Sequence, residues 1–144
     1  MSRTVSRRDV LRAAACICTS AAMGCAAQRV LIRAEVHGTH AHVVAAQLHP
    51  QSTTLVYVDH LRASLAITRN QIVEPSAVDA WHTLLLVCTH RGCNVAPDRV
   101  GYICPCHGSR FDDRGNVLKG PASEPLITLA SVLSGDVLRI DLPI

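Results

Sequence analysis

Residues 88–93 read Cys-Thr-His-Arg-Gly-Cys, and residues 104–109 read Cys-Pro-Cys-His-Gly-Ser. A structural zinc site usually takes its ligands from two cysteines with two to four residues between them and two histidines with three to five residues between them. Here each segment contributes one Cys–His pair, as C-x-H and then as C-x2-H. This mixed pattern suits an iron–sulfur centre in which two thiolates bind one iron and two imidazoles bind the other. A zinc ribbon and an unligated cysteine cluster are the alternatives that the residues leave open.

The two segments together resemble the signature of Rieske [2Fe–2S] proteins, whose loops are written C-x-H-x-G-C and C-P-C-H-G-S. The likeness covers residues 84–142 with dense motifs and residues 30–83 only by general strand character. It implies one Rieske-type [2Fe–2S] cluster per chain in an all-β fold, an antiparallel sandwich or barrel with a small cluster-binding subdomain. Outside the two loops, the shared positions are Phe111–Asp112, Gly115, Gly120–Pro121–Ala122 and Pro125–Leu126.

The resemblance also assigns roles to the cysteines and histidines of the two loops. Cys88 and Cys104 correspond to the thiolate ligands of the inner iron, and His90 and His107 correspond to the ligands of the outer iron, which changes oxidation state. Neutral imidazoles in place of thiolates remove negative charge from the cluster and raise its reduction potential.

The remaining pair, Cys93 and Cys106, matches the disulfide of the high-potential branch, which includes bc1-type proteins and the small subunit of arsenite oxidase. Such a bridge would clamp the two loops together and would fit an oxidising compartment. Two free buried thiols are the alternative. Ferredoxins that feed ring-hydroxylating oxygenases lack this pair, so we expect a different branch.

Five further residues are predicted to tune the cluster. Gly92 and Gly108 allow tight loops whose N–H groups approach sulfur. Ser109 occupies the position of a hydroxyl that bonds a bridging sulfide, and Phe111 stands where relatives of the highest potential carry a tyrosine. Pro121 belongs to a loop that covers the cluster from a third side. For Ser109 and Phe111, plain loop and core packing is the alternative.

Arg91 departs most clearly from the bc1-type pattern, in which this position is typically apolar and lies at a docking tip. A cation beside the exposed ligands suggests a different and acidic partner surface, while a solvated loop residue without a role is the alternative. His37, His40 and His42 invite a second metal site because alternate residues of a strand share a face. No further ligand has a recognisable spacing, so we expect surface histidines.

The composition sets limits on the rest of the chain. The chain has 144 residues, 49% of them hydrophobic and 17% charged, which is typical of a globular protein with one domain. Residues 28–144 contain ten Lys and Arg against ten Asp and Glu. No basic face is left to neutralise phosphates, so we expect no nucleic-acid partner.

Residues 1–27 are predicted to be a twin-arginine export signal, and residues 28–144 the Rieske domain. Ser6–Arg12 contains paired arginines, and the apolar run Ala13–Ala27 that follows is shorter than the roughly 17–25 residues that span a bilayer. We therefore expect a periplasmic protein, either soluble or held at the membrane surface by an uncleaved leader or by a lipid on Cys25. A basic, alanine-rich first helix of the fold is the remaining alternative.

Short strands are predicted over most of the remaining chain, with no long helix. A helical turn is expected near Val78, before a buried strand that ends at Val87. The other predicted strands are Leu31–Val36, His42–Leu48, Thr53–Asp59, Leu65–Arg69, and the two arms of a C-terminal hairpin, Ile127–Val132 and Val137–Leu142.

The function expected from the resemblance is one-electron transfer in the periplasm, as the small subunit of a larger oxidoreductase such as an arsenite oxidase-like complex. The partner would be a large catalytic subunit, a cytochrome or a copper protein, and no residue of this chain is expected to be catalytic. The alternatives are a subunit of a bc1-type quinol-cytochrome c reductase and a standalone carrier. A Rieske oxygenase would need a 2-His-1-carboxylate iron site in a further domain, for which we see no room. A binding module without iron is disfavoured because all four ligand residues are intact.

Overall fold

The structure is a computed structural model that describes residues 32–143, so the predicted export signal and Cys25 lie outside the described residues. Short β-strands and two 3-10 turns, Ala45–Gln47 and Val78–Ala80, make up its regular structure, and this part of the chain contains no α-helix. None of its helical segments is long and apolar enough to cross a membrane. The strands are β1 (Ile32–Arg33), β2 (Glu35–His37), β3 (His40–Val44), β4 (Thr54–Val58), β5 (Ala63–Arg69), β6 (Trp81–Leu85), β7 (Ala96–Asp98), β8 (Gly101–Ile103), β9 (Arg110–Phe111), β10 (Val117–Lys119), β11 (Thr128–Leu129), β12 (Ser131–Ser134) and β13 (Val137–Asp141).

Two sheets form a base domain. One has the order β1-β4-β5-β6-β11, and the other has the order β12-β13-β3-β2. All pairs are antiparallel except β1 with β4. Inward-facing side chains of both sheets, among them Val56, Leu65, Leu138 and Ile140, form one apolar core. The alternation of buried and exposed positions in β13 shows the period of two expected of a strand with one face on the core.

The chain passes from one sheet to the other at Ala34 and again at Ala130. β1 pairs with β4 of the first sheet while β2 pairs with β3 of the second. In the same way, β11 pairs with β6 while β12 pairs with β13. The predicted continuous strands Leu31–Val36 and Ile127–Val132 are therefore wrong in their continuity, because each is two short strands that belong to different sheets.

The other predicted strands differ from the structure mainly at their ends. The strand predicted at His42–Leu48 begins at His40 and stops at Val44, because residues 45–47 turn into a 3-10 helix. The strands predicted at Thr53–Asp59 and Leu65–Arg69 are confirmed as β4 and β5, and the turn near Val78 precedes β6 as expected.

A smaller subdomain lies between β6 and β11 in the chain and carries the two Cys–His segments. Its sheet has the order β10-β9-β8-β7, and none of these four strands was predicted from the sequence. β6 forms the wall between the two parts of the molecule. Leu85 packs into the base core, whereas its two neighbours in the chain, Leu84 and Leu86, pack into a second core under the subdomain. Successive residues of a strand point to opposite faces, so one strand serves both cores.

Candidate metal centre

The two Cys–His segments fold into loops with the same backbone frame. In loop 1 (residues 88–93), the N–H of Cys88 donates to the carbonyl of Cys93 at 2.8 Å, and the N–H of Gly92 donates back to Cys88 at 2.8 Å. In loop 2 (residues 104–109), Cys104 donates to Ser109 at 2.8 Å, and Gly108 donates back to Cys104 at 2.9 Å. Each loop therefore closes between its first and sixth residues, with a cysteine at the first position.

The fifth position of each loop is a glycine because the backbone there is left-handed. Gly92 has φ of 73° and Gly108 has φ of 76°. A Cβ at either position would meet no atom within 4 Å, so conformation rather than crowding requires the glycine. The predicted tight turns are present at both positions.

The first residues of the loops, Cys88 and Cys104, are free thiols with 2% and 1% of their surface exposed. They belong to the second apolar core, beside Leu86 and Phe111. A thiol in such a place is either an inert packing group or, when deprotonated, a metal ligand.

The other two cysteines of the loops are joined as the predicted disulfide, Cys93–Cys106. The sulfur atoms of Cys93, Cys104 and Cys106 lie within 4.8 Å of one another. These three sulfurs do not form a ligand set while the bridge is intact, since only Cys104 among them keeps a thiol. The bridge instead ties the end of loop 1 to the middle of loop 2 beside the free thiol.

The rings of the two loop histidines are neighbours in an edge-to-face arrangement. The ring centroids of His90 and His107 are 5.0 Å apart, and the ring planes meet at 85°. His107 is exposed, whereas Nδ1 of His90 is buried without a hydrogen-bond partner. A buried ring nitrogen left unpaired is destabilising by about 1–3 kcal/mol. A metal bond to Nδ1 would remove that penalty, so the orphaned atom fits a ligand role.

Ser109, the sixth residue of loop 2, is fully buried and joins that loop to the third segment of the predicted site. Its Oγ accepts the N–H of Ala122 at 3.0 Å. The hydroxyl hydrogen stays free to donate, so the predicted bond to a sulfide remains compatible with this contact. Pro121, which precedes Ala122 in the third segment (residues 120–122), is exposed.

Loop 1 has a corresponding tether that the sequence did not reveal. The hydroxyl of Thr89 donates to the carbonyl of Glu124 at 2.7 Å, and the side chain of Asn94 donates to the carbonyl of Arg62 at 3.1 Å. Both partners are distant in sequence, and a threonine between two ligands carries no local signal of such a contact. Thr89 thus fastens loop 1 to residue 124, shortly after the third segment, and Asn94 fastens the residue after loop 1 to the base domain.

Phe111 is fully buried in the second core and lies opposite Tyr102 in the β8–β9 pair. Its ring packs as an apolar group and offers no donor to a sulfur. Burial raises the pKa of Tyr102, although the hydrogen bond to Thr53 opposes that shift. The tuning roles given to Phe111 and to the other four residues stay predictions.

The three histidines of the base domain lie on one face of the second sheet. His40 is 3.3 Å from Asp141, His37 is 3.8 Å from Glu35, and the rings of His37 and His42 are 5.0 Å apart. They are partly or fully exposed, which agrees with the expectation of surface histidines.

The sequence of the chain matches the family model of the Rieske [2Fe-2S] domain over residues 40–132. The chain belongs to the Rieske [2Fe–2S] family. The predicted fold class is thereby confirmed, and so is the predicted cofactor, a Rieske [2Fe–2S] cluster.

Known relatives agree with this assignment. The chain is 42% identical over 65 residues to the ubiquinol-cytochrome c reductase iron-sulfur subunit of Cereibacter sphaeroides, an alignment that covers 42% of this chain and 35% of that protein. It is 30% identical over 89 residues to the corresponding subunit of Rickettsia typhi, covering 54% and 50%. The chain thus spans half or less of these curated relatives. The solved plasma membrane Rieske protein of Synechocystis PCC 6803 is 27% identical, with a TM-score of 0.49 and coverage of 68% of this chain and 94% of that one.

Proposed function

We propose that this Rieske protein transfers single electrons as the small subunit of a larger oxidoreductase. The observation that carries the proposal is the division of the loop side chains into two classes. Cys93 and Cys106 are already oxidised to a disulfide, while two buried thiols and two neighbouring imidazoles remain available. This is the mixed donor set of a Rieske centre.

Cys88, Cys104, His90 and His107 would hold the cluster, each loop giving one thiolate and one imidazole. When bound, the cluster accepts and donates one electron at a time. The buried thiolates keep their side of the site away from water, while exposed His107 leaves the other side open to a partner. The disulfide and the Ser109–Ala122 hydrogen bond hold the three segments in place so that little rearranges on electron transfer.

The finer assignment that we propose is an arsenite oxidase-like complex in the periplasm. Arg91 is exposed in place of an apolar docking residue, and Phe111 lacks the hydroxyl of the relatives with the highest potential. Both features suit a partner other than a quinol-oxidising cytochrome b. The paired arginines of residues 6–12 support export, and the disulfide suits an oxidising compartment.

A specific observation favours a second candidate, a subunit of a quinol-cytochrome c reductase. Two of the curated relatives, those from Cereibacter sphaeroides and Rickettsia typhi, carry that name. Mild solubilisation of the native complex, followed by mass spectrometry and metal analysis, separates the two. A co-purifying molybdenum protein would support the first assembly, and a haem b protein would support the second and overturn the first.

The electron-transfer function itself is tested on the exported holoprotein. The protein should contain two irons and two acid-labile sulfides and should show a Rieske EPR signal after reduction. His107→Gln should lose or change this signal, whereas His60→Gln, a control at an exposed histidine of the β4–β5 turn, should leave it unchanged. Stoichiometric zinc without iron would overturn the proposal.

A further inference from the structure

Arg91 is the one charged side chain in residues 88–93, 104–109 and 120–122, the three segments that surround the proposed cluster site. It is exposed, and no ion pair or hydrogen bond found within residues 32–143 involves its guanidinium group. Its charge therefore faces solvent beside His90 without a neighbour to neutralise it.

Apart from Arg91, the exposed residues of these three segments carry no formal charge, and most of them are small. They are Gly92, Pro105, Cys106, His107, Gly120 and Pro121. We call this surface, together with Arg91, the ligand face. Its small residues allow close approach of a partner, and its arginine is exposed.

Glu124 is an acid that a hydrogen bond ties to loop 1, since its backbone carbonyl accepts the hydroxyl of Thr89. The side chain of Glu124 is exposed and forms no ion pair with Arg91 in the described part of the chain. It can weaken the positive potential of the face without cancelling it.

The rest of the described chain does not share this positive charge. Residues 32–143 hold nine Lys and Arg against ten Asp and Glu. Three of the other arginines are paired: Arg33 with Asp59, Arg110 with Asp98, and Arg139 with Asp141. A cationic ligand face therefore belongs to a domain that is slightly acidic as a whole.

We infer that Arg91 makes the ligand face a docking surface for a redox partner with an acidic contact surface. Opposite charges at the point of contact orient the encounter and raise the association rate, and like charges suppress the wrong partners. This inference rests on the proposed electron-transfer function, because it assigns the kind of partner that the same face selects.

The test uses two small oxidants of opposite charge, hexacyanoferrate(III) and tris(phenanthroline)cobalt(III), with the reduced holoprotein in a stopped-flow instrument. At low ionic strength, Arg91→Gln should slow oxidation by the anion about tenfold relative to oxidation by the cation. The reason is that the single charge of Arg91 attracts a triply charged anion and repels a triply charged cation in water. The ratio of the two rates cancels any effect of the substitution on the potential. Salt should remove most of the difference.

Arg99→Gln is the matched control, because it removes the same charge from an exposed arginine in the β7–β8 turn, at the opposite end of that hairpin from the loops. It should leave the rate ratio within twofold of wild type. Glu124→Gln should raise the rate of oxidation by the anion relative to the rate with the cation. Equal shifts for Arg91→Gln and Arg99→Gln would overturn the inference.

A second readout does not depend on electron transfer. Redox-inert hexacyanochromate(III) is paramagnetic, and it should broaden amide NMR signals near Gly120 and Glu124 in the oxidised holoprotein but not in Arg91→Gln. Broadening elsewhere, or broadening that persists in the variant, would contradict the inference. Failure of the wild-type holoprotein to exchange electrons with either oxidant would instead refute the proposed function.

Discussion

Loops 1 and 2 of the cluster site share a backbone frame but differ in how their sixth residue is anchored. Both loops close through a backbone hydrogen bond from the first residue to the sixth, and both turn at a glycine with a left-handed backbone. The sixth residue is Cys93 in loop 1, which is bound covalently to loop 2, and Ser109 in loop 2, which accepts a hydrogen bond from Ala122. The common frame presents the proposed ligands, and the different anchors hold the three segments together.

The largest expected effect tests whether the loops are equivalent as ligand donors. Cys88→Ser and Cys104→Ser should each abolish the whole cluster, because each removes one of the two thiolates proposed to hold the same iron. Iron and acid-labile sulfide per chain and the visible absorption measure the loss, with circular dichroism as the control for folding. Retention of two irons in one variant and not in the other would show that the loops are not equivalent.

The covalent anchor of loop 1 should give the next largest effect. The double variant Cys93→Ser/Cys106→Ser opens a crosslink with a sequence separation of 13 residues. It should lower the free energy of unfolding by about 3 kcal/mol through the greater freedom of the unfolded chain. Urea denaturation followed by fluorescence measures this change.

Alkylation under denaturing, non-reducing conditions is the companion control for the bridge. Cys93 and Cys106 should stay unmodified until a reductant is added. Immediate alkylation of both would refute the bridge as the anchor of loop 1.

Loops 1 and 2 also differ in the burial of the hydroxyl that ties each to the segment after residue 119. Ser109→Ala should lower the free energy of unfolding by about 1–3 kcal/mol, because it leaves the N–H of Ala122 unpaired beside a fully buried side chain. Thr89→Ala removes a bond in a more exposed position and should destabilise the protein less. Equal losses in urea denaturation would mean that burial does not distinguish the two tethers.

The glycines should give the smallest and most similar effects. Gly92→Ala and Gly108→Ala should each lower the free energy of unfolding by about 1–2 kcal/mol, the cost of a left-handed alanine, because a Cβ meets no atom within 4 Å. Gly101→Ala is the contrasting control, since its Cβ would lie 2.3 Å from the carbonyl oxygen of Phe111. Thermal denaturation should rank Gly101→Ala as the most damaging of the three.

The sequence predicted the loops better than the sheet that carries them. The Cys–His spacing and the likeness to Rieske loops indicated the cofactor and the disulfide. β7 to β10 went unpredicted because they are two or three residues long and lack alternation. β7 even contains Pro97, which an edge strand tolerates. Their pairing depends on the core beneath them more than on strand propensity.

The breaks at Ala34 and Ala130 were missed for a related reason. Nothing in a run of apolar residues marks where a chain changes from one sheet to another, since both sheets bury the same kind of side chain. The tethers of Thr89 and Ser109 depend on partners far along the chain, and only the fold brings these together.

We expect each loop to give one sulfur and one imidazole nitrogen to a single cluster. Pulsed EPR of the reduced holoprotein, grown with 15N-histidine in an otherwise unlabelled background, tests it most directly. We expect couplings from two histidine nitrogens, with one lost in His90→Cys and the other in His107→Cys if those variants keep a cluster. A reduced cluster with no histidine coupling, or with one that neither substitution changes, would contradict it.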